Sequence, residues 1–498
     1  MKNKKYAFSL FCFLVISFWI FMMGKLIKKY YFIKPVEISS FLGSEMLSAS
    51  EITEHWHGIY LEGGKIGYSV STLEKEENGY IIKEKVVMKL NLMGSSRKVV
   101  TNIDSLTDLE LRLRSFKFLF QSGDVEYKAF GVREGDRLKV DITSAGETLQ
   151  VEFPFNETPQ ISSQLYYFLA KKGIETGKVF AIPIFDPSTM SKSKIEVKVI
   201  SKESIPEFPE KETYRLNVNF RGIETSSWMT KDGDVLKEAS SLGFTSIKEN
   251  KGDALTKNWQ QGIERDIIGF CAVPVQGMNL EGKNCMYLKV RFAGITLEGF
   301  DLDGGRQKLD GNILTVISSP MPEPEDIRYG EIMDKTNLYE YLKPTIFIQC
   351  NDPQIKKTAQ KIIGENTDPL TVASKINTWI FKNIKKSPTV SIPYALQVLK
   401  SKEGDCNEHT TLFTALCRSV GIPARMCVGL VHMKGSFYYH AWPEVFLDRW
   451  RAVDPTLNQF PADATHLRFL IGGLDRQLDL IKIVRKLKIE ILECKVVE

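Results

Sequence analysis

The chain has few cysteines and no fingerprint for a nucleotide, a calcium ion or a nucleic acid. Eight cysteines are spread unevenly over 498 residues, too sparse for a disulfide scaffold. Only a Cys271–Cys285 bridge is left open for an oxidising compartment. Basic residues are nowhere gathered among aromatics, and 66 Lys+Arg against 61 Asp+Glu leave a net charge of just +5. No nucleic-acid partner is therefore expected. The lysine pairs at 28–29, 356–357 and 385–386 read as solvated faces or membrane flanks. Gly304-Gly305 lacks the P-loop lysine and the dinucleotide-binding spacing, so it is a turn and not a phosphate loop. Neither a cofactor nor a metal is expected.

What is present begins with an apolar run. Tyr6 to Met23 carries no charge and is near the lower length limit for a bilayer span. It ends in Phe21, Met22, Met23 and Gly24 without the small-residue triplet of a cleavage site. Residues 1–30 are accordingly expected to form an uncleaved transmembrane signal-anchor. Three lysines on each side give the positive-inside rule no vote. The size of the segment behind the anchor favours a single-pass inner (plasma) membrane protein with its bulk extracytoplasmic, in the periplasm.

At 498 residues, two or three domains are expected. Residues 52–250 alternate apolar and polar side chains in segments such as 66–75, 137–145, 148–153 and 214–220. Turns fall at Glu77-Asn78-Gly79 and Lys231-Asp232-Gly233, and one helix interrupts at 162–172. A large, mostly antiparallel β-rich domain follows, closed or half-wrapped, with a scaffolding or substrate-binding role. Residues 254–345 read as a mixed connecting region with a helix at 257–268 and strands at 285–295 and 312–319. From Asp352 the pattern turns helical: Asp352-Pro353 and Asp368-Pro369 each resemble an N-cap followed by proline at the first helical position. A short helix at 393–400 precedes the segment 404–425, and 471–498 is assigned as a C-terminal tail.

That segment carries the chemistry. Asp405 and Glu408 form a capping box, so a helix should start with Cys406 in its first turn. Its thiolate would meet the positive end of the helix dipole, and its free N–H could stabilise an oxyanion. A thiol nucleophile needs a base and something to hold that base. The strands 437–447 and 450–457 bear His440 and Asp454. A regular two-residue turn would pair 447 with 450 and put these two on opposite faces. A three-residue loop, or a bulge near Pro443, restores them to one face.

The motifs Gly404-Asp-Cys-Asn-Glu-His409, Gly421-Ile-Pro-Ala-Arg425, His440-Ala-Trp-Pro-Glu-Val445 and Trp450-Arg-Ala-Val-Asp-Pro-Thr456 resemble, in order, those of the transglutaminase-like superfamily. The resemblance covers about 350–470 and is nearest to bacterial membrane-associated members. It implies an α+β fold: a papain-like transglutaminase core at 350–470, with helices packed on an antiparallel sheet behind the β-rich domain and the anchor. It also implies Cys406 as nucleophile, His440 as base and Asp454 as the carboxylate that orients it. Many members are peptidases or amidases, so either a peptidase/amidase or a protein transglutaminase acting on peptide or glutamine carboxamides is expected. Hydrolysis is favoured, and the substrate is a protein or peptide.

Rival readings weigh less. A zinc site on Cys406, His409, Cys417 and Cys427 fails because Cys417 lies about 16 Å along the helix from Cys406. Cys417 and Cys427 suit inert core thiols. His409 reads as a polar helix residue, His432 and His466 as loop or surface histidines, and Arg425, Trp442 and Glu444 as structural supports. Gln397 sits within a helix with no assigned aim. The alternative of another class is a catalytically silent anchored binding or assembly protein on the same fold.

Overall fold

The computed structural model describes residues 53–496, apart from 93, 124, 145, 257–258, 260–265, 279, 281–284, 319 and 324–337. The expected anchor at 1–30 and most of the expected helix at 257–268 lie outside the described residues. Among the described residues no helix is long and apolar enough to cross a membrane.

Residues 53–249 build a fourteen-stranded antiparallel sheet from two meanders. One runs from Thr53–Leu61 to Glu147–Pro154, the other from Val179–Asp186 to Phe244–Glu249. They join where the first strand pairs with the last, Gly58 opposite Ile247. Alternation sets the buried face: in Arg137–Ser144, Leu138, Val140 and Ile142 point inward while their neighbours do not. The expected turns hold. Glu76 pairs with Gly79, and Gly233, at φ +92°, takes the left-handed conformation that the 230–234 turn demands. The helix Leu165–Lys172 lies where expected and packs Leu165 and Leu169 against Ile182, Val197 and Leu216.

A second sheet has the spatial order Gln307–Asp310, Ile313–Ile317, Cys285–Ala293, Lys488–Val496, Val273–Gly277, Ser436–Phe446, Ala424–Met433, His466–Ile471. Trp450–Ala452 pairs with Ser436–Phe446. The region read as connecting and the segment read as a tail therefore both supply strands here. Lys488–Val496 sits at the centre, burying Ile489 and Ile491; the intervening Lys and Glu hide that alternation in the sequence. Cys285 lies within hydrogen-bond reach of Cys494 on this neighbouring strand, so Cys494, rather than Cys271, is its thiol neighbour.

The helices Pro353–Ile363, Pro369–Asn383 and Ala395–Ser401 share one core with the helix Cys406–Ser419, through Ile355, Ile376, Val398, Leu412 and Leu416. Asp352 caps the first, accepting from Gln354 N at 2.7 Å, and Asp368 caps the second, accepting from Thr371 N at 2.7 Å. The loop before the helix Cys406–Ser419 is held by the large sheet: Arg97 donates to Ser387 Oγ at 2.7 Å and to the Pro388 carbonyl at 3.2 Å. Ile392 is buried among Phe116, Phe118 and Tyr127.

Candidate active site

The helix Cys406–Ser419 starts as its sequence dictates. Asp405 accepts from Asn407 N at 2.8 Å, and Glu408 reaches back to accept from Asp405 N at 2.8 Å, closing the capping box. Glu408 also receives the hydroxyls of Ser391 and Thr389. Gly404 is required by this fold-back, because a Cβ there would lie 2.2 Å from the Glu408 Cβ. His409 donates through Nδ1 to the Asp405 carbonyl at 2.6 Å, which ties it to its own helix start.

Cys406 is the first helical residue, and the backbone N–H of Ala441, next to His440, hydrogen-bonds its sulfur. Burial pushes the thiol well above the ordinary cysteine range, and the neighbouring Asp405 adds to this; the Ala441 N–H works the other way. Desolvation thus opposes the ionised form that the helix dipole favours.

The hairpin meets the parity condition. Phe446 pairs with Trp450, leaving Leu447, Asp448 and Arg449 as a three-residue loop. Continuing that register puts Trp442 opposite Asp454, so His440, Trp442 and Asp454 share a face. Pro443 introduces no bulge: it faces Met426 in unbroken register, and its carbonyl accepts from Val453 N at 3.0 Å. His440 Nε2 donates to Asp454 Oδ2 at 2.7 Å, with both side chains buried. A carboxylate only accepts, so Nε2 carries the proton and, in the neutral ring, Nδ1 keeps the lone pair.

His466, read as a loop or surface histidine, is instead wholly buried. Its Nε2 donates to the same Asp454 Oδ2 at 3.0 Å and its Nδ1 to Asp463 Oδ1 at 3.1 Å. The other Asp454 oxygen accepts from Thr456 N at 2.7 Å and Leu457 N at 2.9 Å. Burial opposes a charge on Asp454, yet His440, followed by His466, holds its carboxyl far below the usual range. Burial opposes a charge on His466 too, but its bonds to Asp454 and then Asp463 raise its pKa. Both ring nitrogens donate, so His466 is an imidazolium between two carboxylates.

The ligand atoms of His440, Asp454 and His466 lie within 4.8 Å of one another. Both Nε2 atoms already donate to one carboxylate oxygen, and a metal would have to displace both protons. The arrangement is a hydrogen-bonded relay. Trp442 stacks on His440 (21° between planes) and meets His466 edge-to-face (81°). Gly429 lets the His466 strand approach, since a Cβ there would lie 1.9 Å from the Leu467 carbonyl oxygen.

Around this lie the supports. Buried Glu444 accepts from Arg425 Nε at 2.8 Å and from Arg468 Nη1 at 3.2 Å. Tyr439 packs into the same core as Cys406 and donates its hydroxyl to Gln477 Oε1 at 2.8 Å. The Gln477 Nε2 is buried without an acceptor among the described residues. Gln397 lines a small cavity beside Glu408. Sequence reasoning passed over His466 and Gln477. The signal for His466 was that it opens the apolar strand His466–Ile471 three residues after an aspartate; Gln477 gave none.

Residues 356–455 match the family model of the transglutaminase-like superfamily. The chain is 35% identical over 115 residues to an uncharacterized protein of Haemophilus influenzae, a match spanning 22% of this chain and 29% of that protein. It is 40% identical over 65 residues to the peptide-N(4)-(N-acetyl-beta-glucosaminyl)asparagine amidase of Drosophila melanogaster, spanning 12% and 9% of the two chains. The matches thus cover less than a third of either relative. Among solved structures, a candidate cysteine protease from Cytophaga hutchinsonii aligns with 43% of this chain and 88% of its own, at 16% identity and a TM-score of 0.29.

Proposed function

We propose that the protein is a membrane-anchored cysteine enzyme that cleaves peptide or glutamine carboxamide bonds through a thioester. The observation that carries this reading is the buried His440–Asp454 pair at 2.7 Å, on the strand whose next N–H meets the Cys406 sulfur. In this reading His440 Nδ1 takes the thiol proton as sulfur attacks the carbonyl. The oxyanion meets the Cys406 N–H, which has no acceptor within the helix; Gln477 Nε2 is our candidate for the second donor. His440 then passes the proton to the departing amine as the C–N bond breaks and the thioester forms.

A water molecule, deprotonated by His440, attacks the thioester, and the thiolate leaves and regains the proton. A lysine amine in place of water would give a crosslink. We assign water, supported by the short match to an amidase. The anchor at 1–30 and a periplasmic bulk belong to this proposal, as does a protein or peptide substrate.

The test is incubation of the full-length chain with a glutamine-containing peptide library, with and without a primary amine, read by mass spectrometry. Cleavage or deamidation supports the assignment; amine incorporation moves it to transglutamination. If an electrophilic probe labels Cys406 no faster than buried Cys417, the protein is the silent binding or assembly form.

A further inference from the structure

The large sheet encloses a second site. A cavity of about 460 Å³ lies between the helix Leu165–Lys172 and strands drawn from both meanders, within the usual size range of small-ligand pockets. That one cavity touches strands so far apart shows that the sheet wraps around it. Its lining includes the apolar Leu165, Ile195 and Val218 and the polar His57, Glu84 and Glu238.

Other than Glu84, the titratable groups around it have partners within the protein. His57 Nε2 donates to the Val235 carbonyl at 2.8 Å, and burial keeps the ring neutral. Glu238 takes the hydroxyls of Tyr166 and Ser227. Asp186 receives Ser188 and Thr189. His55 and Lys248 both bind Asp234. Of the three carboxylates that line the cavity, Glu84 alone has neither a hydrogen bond nor an ion pair among the described residues; the Ser163 hydroxyl in the lining is also without a partner there. Glu84 is half-buried and lines the cavity. Burial first, and then the charge of Glu238, push its carboxyl up to about 7. A carboxylate drawn into protein without a partner is costly, and among the described residues no unpaired cation lines the cavity to offset it.

We propose that this cavity is a binding site for an organic monocation, a primary ammonium on an apolar body, with Glu84 as its counter-ion. One free carboxylate is too few oxygen ligands for a hard divalent ion, whereas an alkylammonium needs one charge, an acceptor and the apolar lining. The site is separate from the Cys406 chemistry and stands whether or not that reading does.

Hexylamine, 1-hexanol and hexanoate are titrated calorimetrically into the full-length chain, and into its Glu84→Gln and Ser69→Leu variants. The expected result is saturable one-to-one binding of hexylamine, about tenfold or more tighter than the alcohol, with no binding of the acid. Glu84→Gln should lose that preference while its unfolding midpoint, without ligand, stays level or rises. Ser69→Leu, which fills the cavity, should lose all binding. Equal affinity for amine and alcohol, or undiminished amine binding by either variant, overturns the proposal. Should Glu84→Gln fail to fold, the amine-over-alcohol ratio and Ser69→Leu still decide it.

Discussion

Replacing His466 with leucine removes the cation that lies between Asp454 and Asp463. Two buried bonds go at once, one of 3.0 Å to Asp454 and one of 3.1 Å to Asp463. Breaking a buried ionic contact on one side costs about 3–5 kcal/mol, a large share of a typical folding free energy of about 5–15 kcal/mol. With a urea dependence of about 3 kcal/mol/M, the unfolding midpoint should fall by about 1 M or more. Asp454 would keep His440 and two backbone donors, so the pair survives but loses one of its anchors. A misplacement on the order of 1 Å costs about a hundredfold in rate, so alkylation of Cys406 by iodoacetamide should slow by about tenfold to a hundredfold. His466→Gln, whose amide reaches towards Asp454, should recover part of both losses.

The same residue sets a pH signature. Its folded pKa is raised, so its stabilisation is full below about 6.5 and is lost as pH climbs through the folded value. The native protein should therefore weaken on that alkaline limb, and His466→Gln should not. An unchanged urea midpoint together with an unchanged alkylation rate in His466→Leu would refute the relay.

Gly404→Ala should cost about 1–3 kcal/mol by forcing Glu408 off its fold-back, seen as a lower melting temperature and slower Cys406 labelling. Glu444→Gln leaves Arg425 and Arg468 without their shared carboxylate and should destabilise by about 3–5 kcal/mol in urea. On the acid side, Asp463 and Asp234 are each held down to about 2, His466 chiefly countering burial for the first and His55 for the second. Their stabilisation is present above about 3.9 and should drain as pH falls towards 2, which circular dichroism would follow. Under a thiol oxidant, peptide mapping should find Cys285 joined to Cys494, and a Cys271–Cys285 link would contradict the strand register.

Much of this was legible in the sequence because it is local. The aspartate-proline pairs name two helix starts, and Asp405 with Glu408 names a third. Period-two alternation marks the strands of the large sheet. Four motifs in order point to Cys406, His440 and Asp454. What escaped depends on distant partners. Whether Val273–Gly277 or Lys488–Val496 joins the second sheet is decided by strands elsewhere in the chain. His466 gains its meaning only when its strand is laid beside Gly429. The desolvation of the Cys406 thiol, which works against the helix dipole, is likewise revealed by no run of residues.

The topology of the second sheet carries a consequence for how the molecule is made. Ala424–Met433 and Ser436–Phe446 close through a tight turn at Lys434-Gly435, a cheap step that needs nothing remote. Val275 and Ile489, by contrast, must meet across roughly two hundred residues, and the entropy of that closure comes before any contact rewards it. His440, Asp454 and His466 all ride on the early half. The core that shields the Cys406 sulfur draws on Leu288, Val290, Ile489 and Ile491, which belong to the late half. During refolding, then, the relay assembles beside a thiol still open to solvent, and pulse alkylation should find Cys406 most vulnerable in that interval.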